Sequence, residues 1–431
     1  MHCSNTPFSA ELCVPLEGAN MLYQFHEMNR NLLSPLIQWA EASAKLFTSP
    51  VSPLAHTPFA QRIAAGYELI YRLGKDYEKP QFGFESTVIN GKTVPIVEEV
   101  AELKSFCRLL HFKKDISAKE FAALKQSTVL LVAPLSGHHS TLLRDTARAM
   151  LPEHDVYITD WTDARMVPAS EGPFHLHDYI YYVQDFMRKL GPDLHVISVC
   201  QPTVPVLAAI SLMATENDPK LPKTMTMMGG PIDPRKSPTG VNDLATNKPF
   251  SWFENTVIYS VPPTYPGYGR QVYPGFLQHA GFVAMNPRRH AQSHWDFYKH
   301  LRQGDNASAE EHRKFYDEYN AVLDMPAEYY LETIKDVFQE FHLAKGTWEI
   351  EGKPVRPQDI KTVALFTIEG ELDDISGSGQ TEAAQGLCAN IPKSKKQHFI
   401  APECGHYGIF SGRRWRDVVR PKITEFIKKN S

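Results

Sequence analysis

The sequence predicts an α/β fold: a mostly parallel sheet with helices on both faces, a helical extension ahead of it and an inserted segment within it. Three observations carry this prediction. Short apolar strands alternate with amphipathic helices from about Thr128 to Met228, the pattern of successive βαβ units. That rhythm stops from about Asp233 to Pro357 and resumes from Val363 to the C-terminal region. Before Lys79 the apolar spacing is helical instead. The expected division is 1–80 for the extension, 81–232 for the first part of the core, 233–357 for a cap or lid, and 358–431 for the second part of the core.

Composition narrows the class. Hydrophobic residues make up 42% and charged residues 22%, ordinary globular usage that excludes a disordered chain. With 45 Lys and Arg against 49 acidic residues, the net charge of −4 gives no electrostatic reason for a nucleic-acid partner. The longest apolar runs, Val206 to Ala214 and Thr128 to Leu135, fall short of the roughly 18 residues a membrane span requires. The first twenty residues lack a basic start and an apolar run, so a cytoplasmic address is expected. Cys3, Cys13, Cys107, Cys200, Cys388 and Cys404 have no paired spacing, which fits reduced thiols. Cys404 and His406 lie two apart, but no CxxC or HExxH accompanies them, and no metal is expected.

Each element follows from local pattern. Leu22, Phe25, Met28, Leu32, Leu33, Leu36, Ile37 and Trp39 recur at three-to-four spacing, ended by Pro50, Pro53 and Pro58, and such a stripe is expected to pack on the main domain. The run Ser86 to Val97 has β-rich arms around Asn90-Gly91, which tolerate the positive φ of a type I′ hairpin. Its Gly91-Lys92-Thr93 triplet lacks the earlier glycine and the strand-to-helix context of a phosphate loop. Strands are expected at Thr128 to Leu135, Val156 to Trp161, Leu194 to Val199, Thr224 to Met228, Val363 to Ile368 and Gln397 to Ile400. Helices are expected near Ser140 to Met150, Asp178 to Leu190, Gln201 to Ala214, Thr381 to Ala389 and Trp415 to Lys429. Between Trp252 and Tyr298 aromatic residues reach about twice the chain's 11%, too dense and long for a structureless loop.

Chemistry gathers at strand ends. Cys200 ends an apolar strand and precedes a helix, at the carboxyl edge where open α/β sheets hold their sites. A sulfur there faces the positive end of the helix dipole, which favours the nucleophilic thiolate. Taken alone, such a cysteine is more often a small buried core residue. Downstream, Gly370-Glu371-Leu372-Asp373 and Gly405-His406-Tyr407-Gly408 each follow a strand end. Nucleophile, carboxylate, histidine is the chain order of the α/β-hydrolase triad. The chemistry needs a thiolate to attack an acyl carbon, an imidazole to move the proton, and a carboxylate to orient the imidazole. Asp373, three after Gly370, is the expected acid, with Asp374 the alternative. The loop Pro134 to His139 occupies the place that supplies an oxyanion-hole amide, so backbone donors are expected from Leu135 or Ser136 together with Gln201. His138 and His139 either line the pocket or cap the next helix.

These residues resemble the intracellular poly(3-hydroxybutyrate) depolymerases, α/β-hydrolases with cysteine in place of serine. The resemblance runs from about Met21 to the C-terminus. It passes through Tyr23-Gln24-Phe25, Val132 to Gly137, His195 to Thr203, Gly370 to Gly377 and Gly405 to Gly408. The segment Val199-Cys200-Gln201-Pro202 matches the family while lacking both glycines of the usual Gly-x-nucleophile-x-Gly elbow; Ser198 and Pro202 stand in their places. The resemblance implies cytoplasmic hydrolysis of amorphous polyester at storage granules, through a thioester on Cys200 served by His406 and Asp373, with no cofactor. Two other readings remain open at this stage: a polyhydroxyalkanoate synthase-like acyltransferase, which generally keeps glycines around its cysteine, and a noncatalytic granule-coat protein.

Overall fold

A computed structural model describes residues 19–431 apart from Pro58. The expected character of residues 1–18 lies outside the described residues. The chain opens with two helices, α1 (Ala19–Thr48) and α2 (Ala60–Gly74), joined by a 3₁₀ turn at Pro53–His56. A hairpin follows, β1 (Ser86–Ile89) and β2 (Lys92–Lys104), with Asn90 at φ 50° and Gly91 at φ 77°, as a type I′ turn demands. Next come β3 (Cys107–Lys114), α3 (Ala118–Leu124), β4 (Ser127–Val132), α4 (Arg144–Met150), β5 (His154–Trp161), α5 (Leu176–Leu190) and β6 (Leu194–Val199). Then α6 (Thr203–Thr215) leads to β7 (Thr224–Met228).

Residues after β7 leave the main sheet and return only at β13 (Ala364–Gly370), which is followed by β14 (Lys396–Ala401). The excursion holds α7 (Gly240–Asn247), α8 (Phe250–Thr256), α9 (Gly275–Met285), α10 (Pro287–Gln303), α11 (Asn306–Tyr319) and α12 (Ala327–Glu332). It also holds a small sheet of β8 (Tyr259–Ser260), β9 (Gln271–Tyr273) and β10 (Met325–Pro326), and a ribbon of β11 (Glu349–Ile350) and β12 (Lys353–Pro354).

The main sheet runs β1-β2-β3-β5-β4-β6-β7-β13-β14, antiparallel through β3 and its neighbours and parallel from β5 onward. Counted without β1, this is the 1-2-4-3-5-6-7-8 order of the α/β-hydrolase fold. The inner strands are buried along their whole length because helices cover both faces. One face packs on α5 and α6, the other on α4 and the final helix Arg420–Asn430. Nearly all of α6 is buried, so the turn that feeds it is held between sheet and core.

Two expectations need correction. β3 and the long second arm of the hairpin were not expected, because Arg108, His111, Lys113 and Lys114 break the apolar alternation there. The helical stripe was expected to pack inward; instead Leu22, Phe25, Met28, Leu32, Leu33, Leu36 and Trp39 are exposed. The body is met by other residues of α1. Tyr23 donates to Asp324 at 2.6 Å, His26 stacks on Phe276, and Arg30 bonds the Tyr265 hydroxyl. No helix among the described residues is long and apolar enough to cross a membrane.

Candidate active site

Cys200 stands between the end of β6 and the start of α6 with φ at 67°, a left-handed conformation that costs a non-glycine residue about 1–3 kcal/mol. Its amide donates to the Met228 carbonyl at 2.7 Å, and its own carbonyl accepts from Thr203 at 3.1 Å. The side chain is partly buried. A sharp turn of this kind needs room on the neighbouring strand. Here the room comes from Gly230, just past β7: a Cβ at position 230 would lie 1.8 Å from Thr203 Oγ1 and 2.4 Å from the Cys200 carbonyl oxygen, whereas one at Gly229 would lie 2.6 Å from Ile409 and 3.3 Å from the His406 ring. Ser198, where relatives of the wider fold carry glycine, is buried and donates to the Thr226 carbonyl at 3.3 Å. The pair after Met228 was not singled out from the sequence, although Gly-Gly directly after a strand is a visible signal of close backbone approach.

Asp373 and His406 come from the loops after β13 and β14. The two loops are stitched by Leu372 N–H to the Cys404 carbonyl at 2.9 Å and Glu371 N–H to the Ala401 carbonyl at 3.0 Å. Gly370 lets them meet, since a Cβ there would lie 2.5 Å from the Cys404 oxygen. Asp373 Oδ2 is 2.8 Å from His406 Nδ1, and Asp373 Oδ1 accepts from the amides of Ile375 and Ser376, each at 2.9 Å. Both side chains are buried, whereas Asp374 is exposed. The structure therefore brings Asp373, and not Asp374, onto the ring.

The Cys200 side chain also acts on the His406 ring. Burial opposes charge on this ring, but the Cys200 sulfur, the hydrogen bond to Asp373 and the Asp373 charge outweigh it and push its pKa up to about 10. The ring is thus an imidazolium around neutral pH.

The expected oxyanion donors lie at the ends of β4 and β6. The amides of Leu135, Ser136 and Gln201 donate to no acceptor among the described residues. Gly137, at φ 105°, accepts from Leu323 N–H at 2.7 Å, and a Cβ there would lie 2.7 Å from Gln278 Oε1 and 3.0 Å from the Phe282 ring. His138 neither caps a helix nor stands free: it stacks on Phe282 and hydrogen-bonds the Tyr319 carbonyl at 3.2 Å. His139 takes the N-terminal position of the next 3₁₀ turn without a side-chain capping bond.

Two aromatic residues near the sulfur were missed from sequence. Tyr329, at the start of α12, donates to Gln201 Oε1 at 2.7 Å, and its hydroxyl is raised chiefly by burial, with the Cys200 charge adding to the rise. Tyr407 is raised by burial, then by Tyr319 and Cys200. Neither lies in the aromatic-rich stretch from Trp252 to Tyr298. Within that stretch Phe282 touches the Gly137 loop, while Trp252 and Phe253 pack with Ile334 and Tyr330, and Tyr265 and Phe276 pack around Tyr23.

Residues 229–431 match the family described as PHB de-polymerase C-terminus. The chain carries the C-terminal domain of the PHB depolymerase family. That domain places the protein among carboxylic ester hydrolases, and it contains Gly229, Gly230, Asp373 and His406, while Cys200 lies ahead of it. Solved structures similar to this chain include a 2-hydroxy-6-oxo-6-phenylhexa-2,4-dienoate hydrolase from Rhodococcus sp. strain RHA1, 11% identical over 78% of this chain and 100% of that one, TM-score 0.43. A putative lipase from Acinetobacter baumannii AYE is 12% identical over 78% and 93%, TM-score 0.44. A monoacylglycerol lipase from Paleococcus ferrophilus is 13% identical over 71% and 97%, TM-score 0.40. No curated relative matches the chain.

Proposed function

We propose that the protein hydrolyses ester bonds of amorphous poly(3-hydroxybutyrate), with Cys200 as nucleophile, His406 as proton carrier and Asp373 as the group that orients it. The reading rests above all on the single His406 ring, which is hydrogen-bonded to Asp373 and whose proton is favoured by the Cys200 sulfur. The Cys200 sulfur attacks the ester carbonyl carbon as a thiolate, and the C–S bond forms. Negative charge moves to the carbonyl oxygen, where the amides of Gln201 and of Leu135 or Ser136 receive it. Collapse breaks the C–O bond, and the imidazolium gives its proton to the departing alkoxide. A thioester remains on Cys200, and the ring is now neutral.

Acylation itself prepares the second half. Two of the influences that hold a proton on His406 come from the free sulfur, and both vanish once the sulfur is acylated. The ring then takes a proton from water, hydroxide adds to the thioester, and the C–S bond breaks to restore the ion pair. No step calls for a metal or an organic cofactor.

Residues 233–357 act as a cap in this reading, with Tyr329 and Phe282 reaching the nucleophile turn and the oxyanion loop. A capped cleft takes a mobile chain but does not strip one from a crystal, where each lost atom contact costs about 0.1–0.2 kcal/mol and many are lost together. The polymer is met in the cytoplasm, at granule surfaces. The test compares release of 3-hydroxybutyrate or its oligomers from amorphous granules and from crystalline polymer of equal area. Release from granules alone is expected. Equal rates would overturn the capped-cleft model, and chain growth from 3-hydroxybutyryl coenzyme A would replace hydrolysis by synthesis.

A further inference from the structure

The hairpin of α1 and α2 turns its apolar residues outward. On α1 the exposed residues Leu22, Phe25, Leu32, Leu36, Trp39 and Leu46 follow alternating three- and four-residue steps, interrupted at the two remaining positions of the pattern by half-buried Asn29 and buried Ser43. At 100° per residue they fill an arc of about 120°. Tyr23, Glu27 and Arg30, which hold the helix to the body, centre on the opposite side. On α2, Ile63, Ile70 and Leu73 are exposed at similar spacing, while Arg72 is buried against α11 through Asp317 and the Arg313 carbonyl. The helices meet where Gly74 admits Ile37 and where Trp39 stands edge-on to Tyr67. Both stripes therefore lie on the outer face of one hairpin.

The size of this face decides what fits it. Its side chains are roughly half exposed, with Leu32 at 70% and Leu36 at 52%. At on the order of 100 Å² each they present roughly 1,000 Å² of apolar surface, beyond the roughly 300–600 Å² of the largest patch on a typical monomer and above the ~800 Å² that each partner gives a stable interface. The spacing is that of a helix-packing seam, in which side chains interdigitate with another helix. Helices that lie on charged surfaces are rich in Lys and Arg. Here α1 has only Arg30 and Lys45, and each is paired with an acid of its own helix, Glu27 and Glu41. A face with its charge neutralised repels nothing, including itself.

We propose that a second copy of this chain docks on this face, two α1–α2 hairpins closing across a two-fold axis into a four-helix layer. The same patch on each subunit is then self-complementary, as a two-fold interface requires. The dimer is independent of the catalytic reading.

Light scattering or sedimentation of the full chain at micromolar concentration is expected to give twice the 48.8 kDa chain mass. Leu32→Glu combined with Leu36→Glu is expected to halve that mass while far-UV circular dichroism and hydrolysis of a short soluble ester stay unchanged, since both positions are exposed. Leu36→Glu and Leu36→Lys chains, each monomeric alone, are expected to dimerise when mixed, because the face meets its own copy. A monomeric parent chain, or a dimer that survives the double substitution, overturns the proposal. A monomer that binds amorphous polyester granules and loses that binding in the double variant also overturns it, by giving the face to the polymer.

Discussion

The turn at Cys200 and the loops bearing Asp373 and His406 build one site by different means. The turn is fixed by backbone: a left-handed φ, two amide contacts, and a glycine, Gly230, just past the adjacent strand that leaves room for it. The loops are fixed by hydrogen bonds to side chains, Asp373 accepting from two amides and from the ring. A backbone-limited element fails by overlap, all at once. A hydrogen-bonded element fails bond by bond, and its chemistry can be removed without its shape.

The largest effect is therefore expected from Gly230→Ala, whose Cβ would overlap Thr203 and the Cys200 carbonyl. Turnover should vanish and thermal stability should fall by several kcal/mol, since packed backbone does not yield cheaply. A stable, active variant would show that the turn is not limited by that contact.

Asp373→Asn breaks the other arm without overlap. Turnover is expected to fall by roughly 10⁴ while the melting temperature changes little, whereas Asp374→Asn, at an exposed position, should be nearly silent. Reversal of the two results would move the acid one residue along.

Acid sharpens the comparison because histidines on the two sides are pushed in opposite directions. His406 is held charged up to about 10, whereas burial lowers His138 to about 4 and His139 to about 3 in the loop after β4. Above the unfolded value of roughly 6.5 these two rings are neutral in both states. Below it the unfolded chain binds protons that the fold excludes, so stability present above pH 6.5 is lost at up to about 1.4 kcal/mol per pH unit for each ring, down to the folded values. His154 and His195, in β5 and β6 and each lowered to about 4 by burial, add the same sign. Denaturation midpoints measured from pH 7 to pH 4 should fall steadily, and a flat profile would contradict the burial of these rings.

The smallest effect is expected at the join between inserted segment and turn. Tyr329→Phe removes one hydrogen bond to Gln201, worth about 1 kcal/mol, and should lower kcat/KM by about fivefold on polymer with little loss of stability. An unchanged rate would leave Tyr329 a core residue only.

Much of this architecture was legible because buried strands have no alternative. Leu194–Val199 and Thr224–Met228 appear at the residues expected, each fully buried. Cys200, Asp373 and His406 were visible because each follows such a strand. What escaped depends on partners distant in sequence: β3 is paired on both sides yet carries cations, and Tyr329 reaches Gln201 from 128 residues away. The α1 stripe teaches the converse. Periodicity marks an apolar face but does not say what covers it, and polar anchors such as Tyr23 and Arg30 turned that face outward.

The central claim is that the acyl group passes through the Cys200 sulfur. Mass spectrometry of enzyme quenched during turnover of a 3-hydroxybutyrate oligomer tests it directly. The account predicts one hydroxyacyl unit on the Cys200 peptide, released by neutral hydroxylamine and absent from Cys200→Ala, whose turnover should fall by about a million-fold, as triad nucleophiles removed elsewhere do. An adduct on another residue, or substantial turnover by Cys200→Ala, would contradict it.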